Sequence, residues 1–392
     1  MKSPPTMPMR KFVVVHNIPS PYRIHLFTHL ARQLRLRNTA LHVSFMAMRH
    51  RDRPRDWGLS SEVLPFEHSV SWDWGPLLAG KKWHFNPGIL IRMAAHQANF
   101  LMICGPWDSL TGIFASVVGR CGTSICWAEG NTRSPGILRG PIGWAKRALV
   151  RRFKVFAVPG IEGESYAQML MGRSAGLPRI VKLPNIVDEG RFRLAREFDP
   201  ATLNEMRGRL GVRSGNRLAL WVTRLAPEKG IIETLNMIDS STLNGWTIAI
   251  IGDGRLRQEI TDVIAKRGLT EFFELHFNIP YVEMPAAYAS ADLFMLPSLR
   301  DPNPLSVVEA LHSGLPIIVS DRIGNLHEAL DAGRNGWLIS HENPSLSRAS
   351  LAAAFGSSPA ELRTMGERSK EIALKDWTTR IAIERFLDSI PV

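Results

Sequence analysis

Leu296-Pro-Ser-Leu-Arg-Asp301-Pro-Asn-Pro-Leu-Ser-Val-Val-Glu309-Ala-Leu-His-Ser-Gly314-Leu-Pro-Ile-Ile-Val-Ser320 joins two apolar runs of strand length through one short helix. Asn303 is suited to cap that helix, Pro304 to open it, and Gly314 to end it before the strand Leu315–Ser320. The helix then points its unpaired amides toward the carboxyl ends of the flanking strands. The backbone of Asn303, Pro304, Leu305 and Ser306 is expected there to meet phosphate or sugar oxygens. Glu309, over a turn further on, can accept two hydroxyls, as a ribose requires; the plain alternative is a Glu paired with a nearby Arg or Lys.

The same rhythm runs through the whole chain. Strand-length runs at 12–17, 40–48, 99–105, 122–129, 154–159 and 179–184 alternate with amphipathic stretches at 20–34, 87–98, 107–120, 141–152 and 161–171. After a polar segment, Asn185–Asn216, strands follow at 218–223, 246–252, 272–277, 292–298, 315–320 and 337–340. Alternation of this kind predicts α/β architecture with two Rossmann-like domains facing across a deep cleft. The expected boundaries are 1–186 for the first domain, 187–375 for the second, and 376–392 for a terminal helix packing back toward the first.

Leu218-Ala-Leu-Trp-Val-Thr-Arg-Leu-Ala-Pro-Glu-Lys-Gly230 reads as a strand ending at Thr223, a tight loop, and a helix starting near Lys229. In open α/β sheets ligands collect at the carboxyl ends of strands, which places Arg224 and Lys229 beside a ligand. A Lys at a helix start is opposed by the macrodipole unless an anion lies there, so a diphosphate is expected, against the alternative of a solvated pair. One strand later, Gly252 and Gly254 in Ile248-Ala-Ile-Ile-Gly-Asp-Gly254 allow close backbone approach to a ligand, or simply punctuate the turn.

Composition narrows the class. The chain has 392 residues, 45% hydrophobic and 21% charged, which is ordinary globular material. Phe12–Val15 is too brief for a signal-peptide core, and the apolar stretches Gly88–Gly105 and Ser109–Gly119 are interrupted or too short to cross a bilayer. Cys104, Cys121 and Cys126 form no C-x-x-C pair and sit in apolar runs, so reduced buried thiols are expected, in the cytoplasm. Neither an H-E-x-x-H helix nor a D-x-D pair occurs, so no metal is expected. The net charge of +12 is uneven: residues 1–185 hold 25 Lys and Arg against 9 Asp and Glu, and the rest 23 against 27. The first half should therefore face something anionic. Trp144, Arg147 and Arg151 share one stripe of the helix over 141–152, with Arg152 beside them. With Arg49, Arg51, Arg53, Arg55, Lys81 and Lys82 they predict peripheral contact with an anionic membrane at its inner face, against the alternative of solvated charge. Nucleic acid has only the charge in its favour and is not expected.

These stretches, in this order, resemble the retaining glycosyltransferases of the glycogen-synthase-like group, family four, which have the GT-B fold. The resemblance covers nearly the whole chain and points to the bacterial cell-surface polysaccharide or glycolipid type. It implies that Arg224 and Lys229 in the R-x-x-x-E-K-G loop, after Thr223, bind the diphosphate of a UDP- or GDP-linked sugar. Asp301 and Glu309 stand where the family has two Glu residues eight apart, which implies a sugar contact for Asp301, followed by Pro302, and a ribose contact for Glu309. Asp321-Arg-Ile-Gly324-Asn-Leu-His-Glu328 and Asn335-Gly336 look like its G-G-x-x-E and N-G-x-L segments. Asn17-Ile-Pro-Ser20-Pro-Tyr-Arg23 resembles the opening of many bacterial members and would border the phosphates and acceptor. Glu129 takes the place of a sugar-contacting His; it either receives a hydroxyl or pairs with Arg133. The implied activity is metal-independent hexose transfer with retention to a lipid-linked or saccharide acceptor. Front-side attack is implied, the leaving phosphate taking the acceptor proton, with no cofactor beyond the nucleotide sugar. A nucleotide-sugar epimerase and a non-catalytic relative acting as a scaffold stay open as alternatives.

Overall fold

The computed structural model describes residues 8–48, 64–78, 81–132, 140–172, 176–277 and 279–390. The chain divides into two compact units, one of Met1–Gly130, Pro135–Pro184 and Thr379–Val392, the other of Asn131–Ser134 and Asn185–Thr378.

The first unit is built on strands β1 (Arg10–His16), β2 (Thr39–Phe45) and β3 (Glu67–Val70), a two-residue pair β4 (Leu77–Leu78) and β5 (Lys81–Lys82), then β6 (Ala98–Cys104), β7 (Cys121–Trp127), β8 (Val155–Val158) and β9 (Arg179–Lys182). Seven of them form one parallel sheet in the order β3-β2-β1-β6-β7-β8-β9. Helices α1 (Pro21–Leu36), α2 (Pro87–Ala95), α3 (Leu110–Val118), α4 (Gly140–Val150) and α5 (Ile161–Met171) connect these strands. The strands β3, β4 and β5 were not among those expected. β3 reads EHSV, too polar and too short for an apolar pattern to reveal, and it forms only because β2 offers an edge.

Within the polar segment, linking helices α6 (Glu189–Leu194) and α7 (Pro200–Arg209) open the second unit. Its strands are β10 (Arg217–Val222), β11 (Trp246–Ile251), β12 (Phe273–His276), β13 (Leu293–Leu296), β14 (Ile317–Ser320) and β15 (Gly336–Ile339), all parallel in the order β12-β11-β10-β13-β14-β15. Helices α8 (Ile231–Met237), α9 (Arg257–Lys266), α10 (Met284–Ala289), α11 (Leu305–His312), α12 (Leu326–Ala329), α13 (Pro344–Gly356) and α14 (Pro359–Asp376) cover it. The central strands β11 and β13 are buried along their whole length, as a sheet covered on both faces requires. Trp221 and Trp246 are fully buried in this core, and the Trp246 indole N–H donates to the Phe355 carbonyl at 2.7 Å.

The last helix, α15 (Thr379–Asp388), returns to the first unit and packs on α1. Ile383, Phe386 and Leu387 are buried there, while His25 meets the Thr379 hydroxyl at 2.7 Å and Arg37 pairs with Asp388 at 2.6 Å.

Candidate active site

In the second sheet the strand order reverses direction between β10 and β13, and such a switch point opens a crevice at the carboxyl ends of the two strands. Lys229 follows β10 and Asp301 follows β13, and there they meet: the ammonium is ion-paired with Asp301 Oδ2. Lys229 is 8% and Asp301 9% exposed, so the pair is withdrawn from water. Instead of opening an α-helix, Lys229 ends a 3₁₀ turn, Pro227–Lys229, and α8 begins two residues later. Arg224 is different in kind: its side chain is 55% exposed and pairs with Glu228 at 2.8 Å. Surface pairs of this sort contribute roughly 0–1 kcal/mol, so the guanidinium is easily drawn to a better anion.

Backbone bonds hold these loops together. Arg300 N donates to Glu228 O at 2.9 Å, Gly324 N to Asp301 O at 2.9 Å, and Leu225 N to Asp253 O at 3.0 Å. Gly252 and Gly254 turn out to serve this stitching. A Cβ at Gly252 would collide with the carbonyl oxygen of Thr223, and one at Gly254 with that of Leu225. The close backbone approach they make within the chain is to the Arg224 loop.

The tip of α11 corrects one expectation. Pro304, not Asn303, occupies the cap position, and no side chain caps the helix. Its first amides are thus left to a partner of another kind. Pro302, Asn303, Pro304, Leu305 and Ser306 line up from the Asp301 end into that first turn. Asn303 Oδ1, Ser298 Oγ and Asn325 Oδ1 are buried without hydrogen-bond partners among the described residues, all in loops after β13 and β14. Buried polar atoms are rarely left so, and three together suit a polar ligand.

Glu309 is buried one turn into α11, and Tyr288 of α10 donates its hydroxyl to Glu309 Oε2 at 2.7 Å. The hydrogen bond seen here on this carboxylate comes from a neutral phenol. Tyr288 was missed from the sequence, because a Tyr in the apolar run Met284-Pro-Ala-Ala-Tyr-Ala289 reads as core. It does pack as core, stacked on Phe294 with ring centroids 5.8 Å apart. Asn335 proves structural: it donates to Ala329 O at 2.9 Å and accepts from Asp331 N at 2.7 Å, closing its own turn.

The first unit gathers a second cluster at the carboxyl edge of its sheet. Ser20 caps α1, accepting from Arg23 N at 3.4 Å, and Asn17 accepts from Ile18 N at 2.8 Å. Arg23 lies over the Trp127 ring, 4.2 Å from its centroid, and is ion-paired with Glu129. Glu129 is thus paired with Arg23; Arg133, the partner in one of its two expected readings, lies outside the described residues. Burial and the nearby Arg23 charge hold the pKa of His16 well below its usual range, so its Nδ1 is read as donating to Ile18 O at 3.1 Å. All three cysteines are free, and burial pushes each thiol above the ordinary range, so they are poor nucleophiles.

The basic helix is partly rearranged from expectation. α4 ends at Val150; Trp144 and Arg151 are exposed and Arg147 half-buried. Arg152 is committed instead to the carboxyl end of α3, donating to Ser116 O at 3.2 Å and Val117 O at 3.3 Å. Arg49, Arg51, Arg53 and Arg55 and the Lys81 side chain lie outside what the structure describes. Among the described residues no helix is long and apolar enough to cross a membrane.

The family model described as glycosyl transferases group 1 matches residues 204–371. The chain is 28% identical over 244 residues to the 2-deoxystreptamine glucosyltransferase of Streptomyces kanamyceticus, 60% of each chain. It is 29% identical over 211 residues to the glycogen synthase of Mycobacterium tuberculosis strain H37Rv, covering 52% of this chain and 47% of that one. The matched part thus spans 60% or less of these curated relatives. In structure the chain is similar to Anabaena Alr3699/HepE in complex with UDP, with a TM-score of 0.73 at 17% identity, over 97% of this chain and 99% of that one. It is also similar to WaaG, a glycosyltransferase involved in lipopolysaccharide biosynthesis, with a TM-score of 0.67 at 16% identity and the same coverage. Residues 204–371 are thus similar to the group 1 glycosyl transferases, and the fold of the chain is GT-B.

Proposed function

We propose that this protein is a retaining, metal-independent hexosyltransferase that moves a sugar from a UDP- or GDP-sugar to a saccharide or lipid-linked acceptor. The observation that carries the reading is the convergence of Lys229, Asp301 and an uncapped helix tip at the switch point of the second sheet, with Glu309 one turn behind. The second unit holds the donor and the first the acceptor. Lys229 and the amides after Pro304 meet the diphosphate, and Arg224 leaves Glu228 to complete the clamp. As the glycosidic bond breaks, negative charge grows on the leaving phosphate, and fixed donors favour that state over the ground state. Asp301 receives sugar hydroxyls while holding Lys229, and Glu309, oriented by Tyr288, receives those of the ribose. Arg23, Glu129, Asn17 and Ser20, with Arg133, border the acceptor. The excess positive charge of the first unit supports contact with an anionic membrane at its cytoplasmic face, where a lipid-linked acceptor would lie.

A melting series with nucleotide sugars tests the donor assignment. A ligand at a hundred times its Kd stabilises by about 2.7 kcal/mol, so the true donor raises the melting temperature visibly. Product analysis with an acceptor should then show nucleotide diphosphate and a new glycoside of unchanged anomeric configuration. A nucleotide-sugar isomer as product would favour an epimerase, and binding without turnover a scaffold. No shift with any UDP- or GDP-sugar would end the donor assignment.

A further inference from the structure

The first unit carries an exposed apolar face that the proposed chemistry does not use. Trp72 is 87% and Trp74 72% exposed, and Leu77, Ile91, Phe114 and Val117 are exposed as well. Physical links on the structure join them. Trp74 N donates to Phe85 O at 2.8 Å and Trp83 N to Pro76 O at 2.9 Å, which pairs 72–78 with 81–85 as the two arms of a hairpin. The hairpin sits on α3: Asn86 N donates to the Thr111 hydroxyl at 2.8 Å, and the Phe85 and Phe114 rings meet edge to face at 5.9 Å. Ile91 belongs to α2, which packs against α3, and Arg92 on the same helix donates to Ser71 at 2.7 Å.

Side-chain bonds tie the two arms together. Asp73, between the two tryptophans, accepts from Gly75 N and Phe85 N at 2.9 Å each and bonds His84 Nδ1 at 2.8 Å. The backbone between and beside the two exposed indoles is thus pinned by Asp73. At the far end of α3 the surface turns basic. Arg120 follows the helix, Arg152 binds its last carbonyls, and Lys154 donates to Gly122 O at 2.7 Å. From Trp74 to Pro159 the sequence holds eleven Lys and Arg against two acids, Asp108 and Glu129.

We infer that this face, with Trp72, Trp74 and Leu77 at one end, Phe114 and Val117 along α3, and Arg120, Arg152 and Lys154 at the other, docks on an anionic lipid surface. The inference deepens the membrane contact proposed above by assigning it to the hairpin and α3. Indoles suit the headgroup boundary, and aliphatic side chains gain from entering the acyl region. A saccharide platform would pair the indoles with hydroxyl-binding side chains, whereas Asp73 between them is spent on Gly75, Phe85 and His84, and Leu77, Ile91 and Val117 offer none. Cations beside an apolar patch complement an acidic leaflet, and their contribution falls with salt.

The test is co-sedimentation of the full chain with phosphatidylcholine vesicles, alone and with phosphatidylglycerol, beside a W72S/W74S variant. Wild type is expected to bind only the anionic vesicles and to lose binding as salt rises; the double variant should bind about tenfold more weakly. Its nucleotide-sugar melting shift and its turnover of a soluble acceptor should stay unchanged. Full vesicle binding by W72S/W74S with loss in W144S would move the docking surface to α4 and overturn the assignment. An altered KM of the double variant for a soluble acceptor would make the face a saccharide platform. A wild-type dimer in solution that W72S/W74S dissolves would make it a contact between copies. No anionic binding by wild type, with the nucleotide-sugar shift intact, would remove the membrane contact and leave the donor assignment standing.

Discussion

At the residue scale, the decisive pair is Lys229 and Asp301. Because both are buried, removing the ammonium strands a carboxylate, and breaking a buried pair costs about 3–5 kcal/mol. Lys229→Ala is therefore expected to lower the melting temperature markedly as well as to reduce turnover about 10²–10³-fold. Lys229→Met with Asp301→Leu separates the two effects: thermal melting should recover and turnover should not. Tyr288→Phe removes one hydrogen bond to Glu309, worth about 1 kcal/mol or somewhat more because the acceptor is charged. Steady-state kinetics should show the donor KM rising about fivefold with kcat little changed, and an unchanged donor KM would sink the positioning role.

At the element scale, α11 does two jobs. Its amino end faces the candidate site, and its carboxyl end, ended by Gly314 at φ +63°, is tied to the end of α14 through His312, whose Nε2 bonds Trp377 O at 3.2 Å. Burial lowers the His312 pKa to about 4. The folded state thus keeps the imidazole neutral while the unfolded chain, titrating near 6.5, takes up a proton first. Stability is full above pH 6.5 and falls as pH drops toward 4, by about 2 kcal/mol at pH 5. Urea midpoints at pH 7.5 and 5 should show this fall. In His312→Gln, which keeps a donor but cannot titrate, the part due to this residue should vanish.

At the scale of the whole molecule, the chain begins and ends in the same unit. α15 supplies Phe386, fully buried, to the first unit, although the residues just before it belong to the second. Phe386→Ala should cost about 3–5 kcal/mol, all of it in the first unit. Limited proteolysis should then open sites before residue 184 first, and the nucleotide-sugar melting shift of the second unit should persist. Cleavage starting in the second unit would contradict this division.

Most of the fold could be read in advance, for a local reason. Parallel strands buried on both faces are written as continuous apolar runs such as Trp246–Ile251, and their helices carry their own stop signals, so each element announces itself. β3 escaped because an edge strand depends on its neighbour. The same division holds for the site. Residue types and spacing singled out Arg224, Lys229 and Glu309, because charge and glycine placement are local facts; Asp301 came only with the family resemblance. What only the tertiary structure decided was who faces whom: Lys229 with Asp301, Glu129 with Arg23, Tyr288 with Glu309, and glycines against loops. Partners 72, 106 and 21 residues apart are chosen by strand order and burial, which no local pattern encodes.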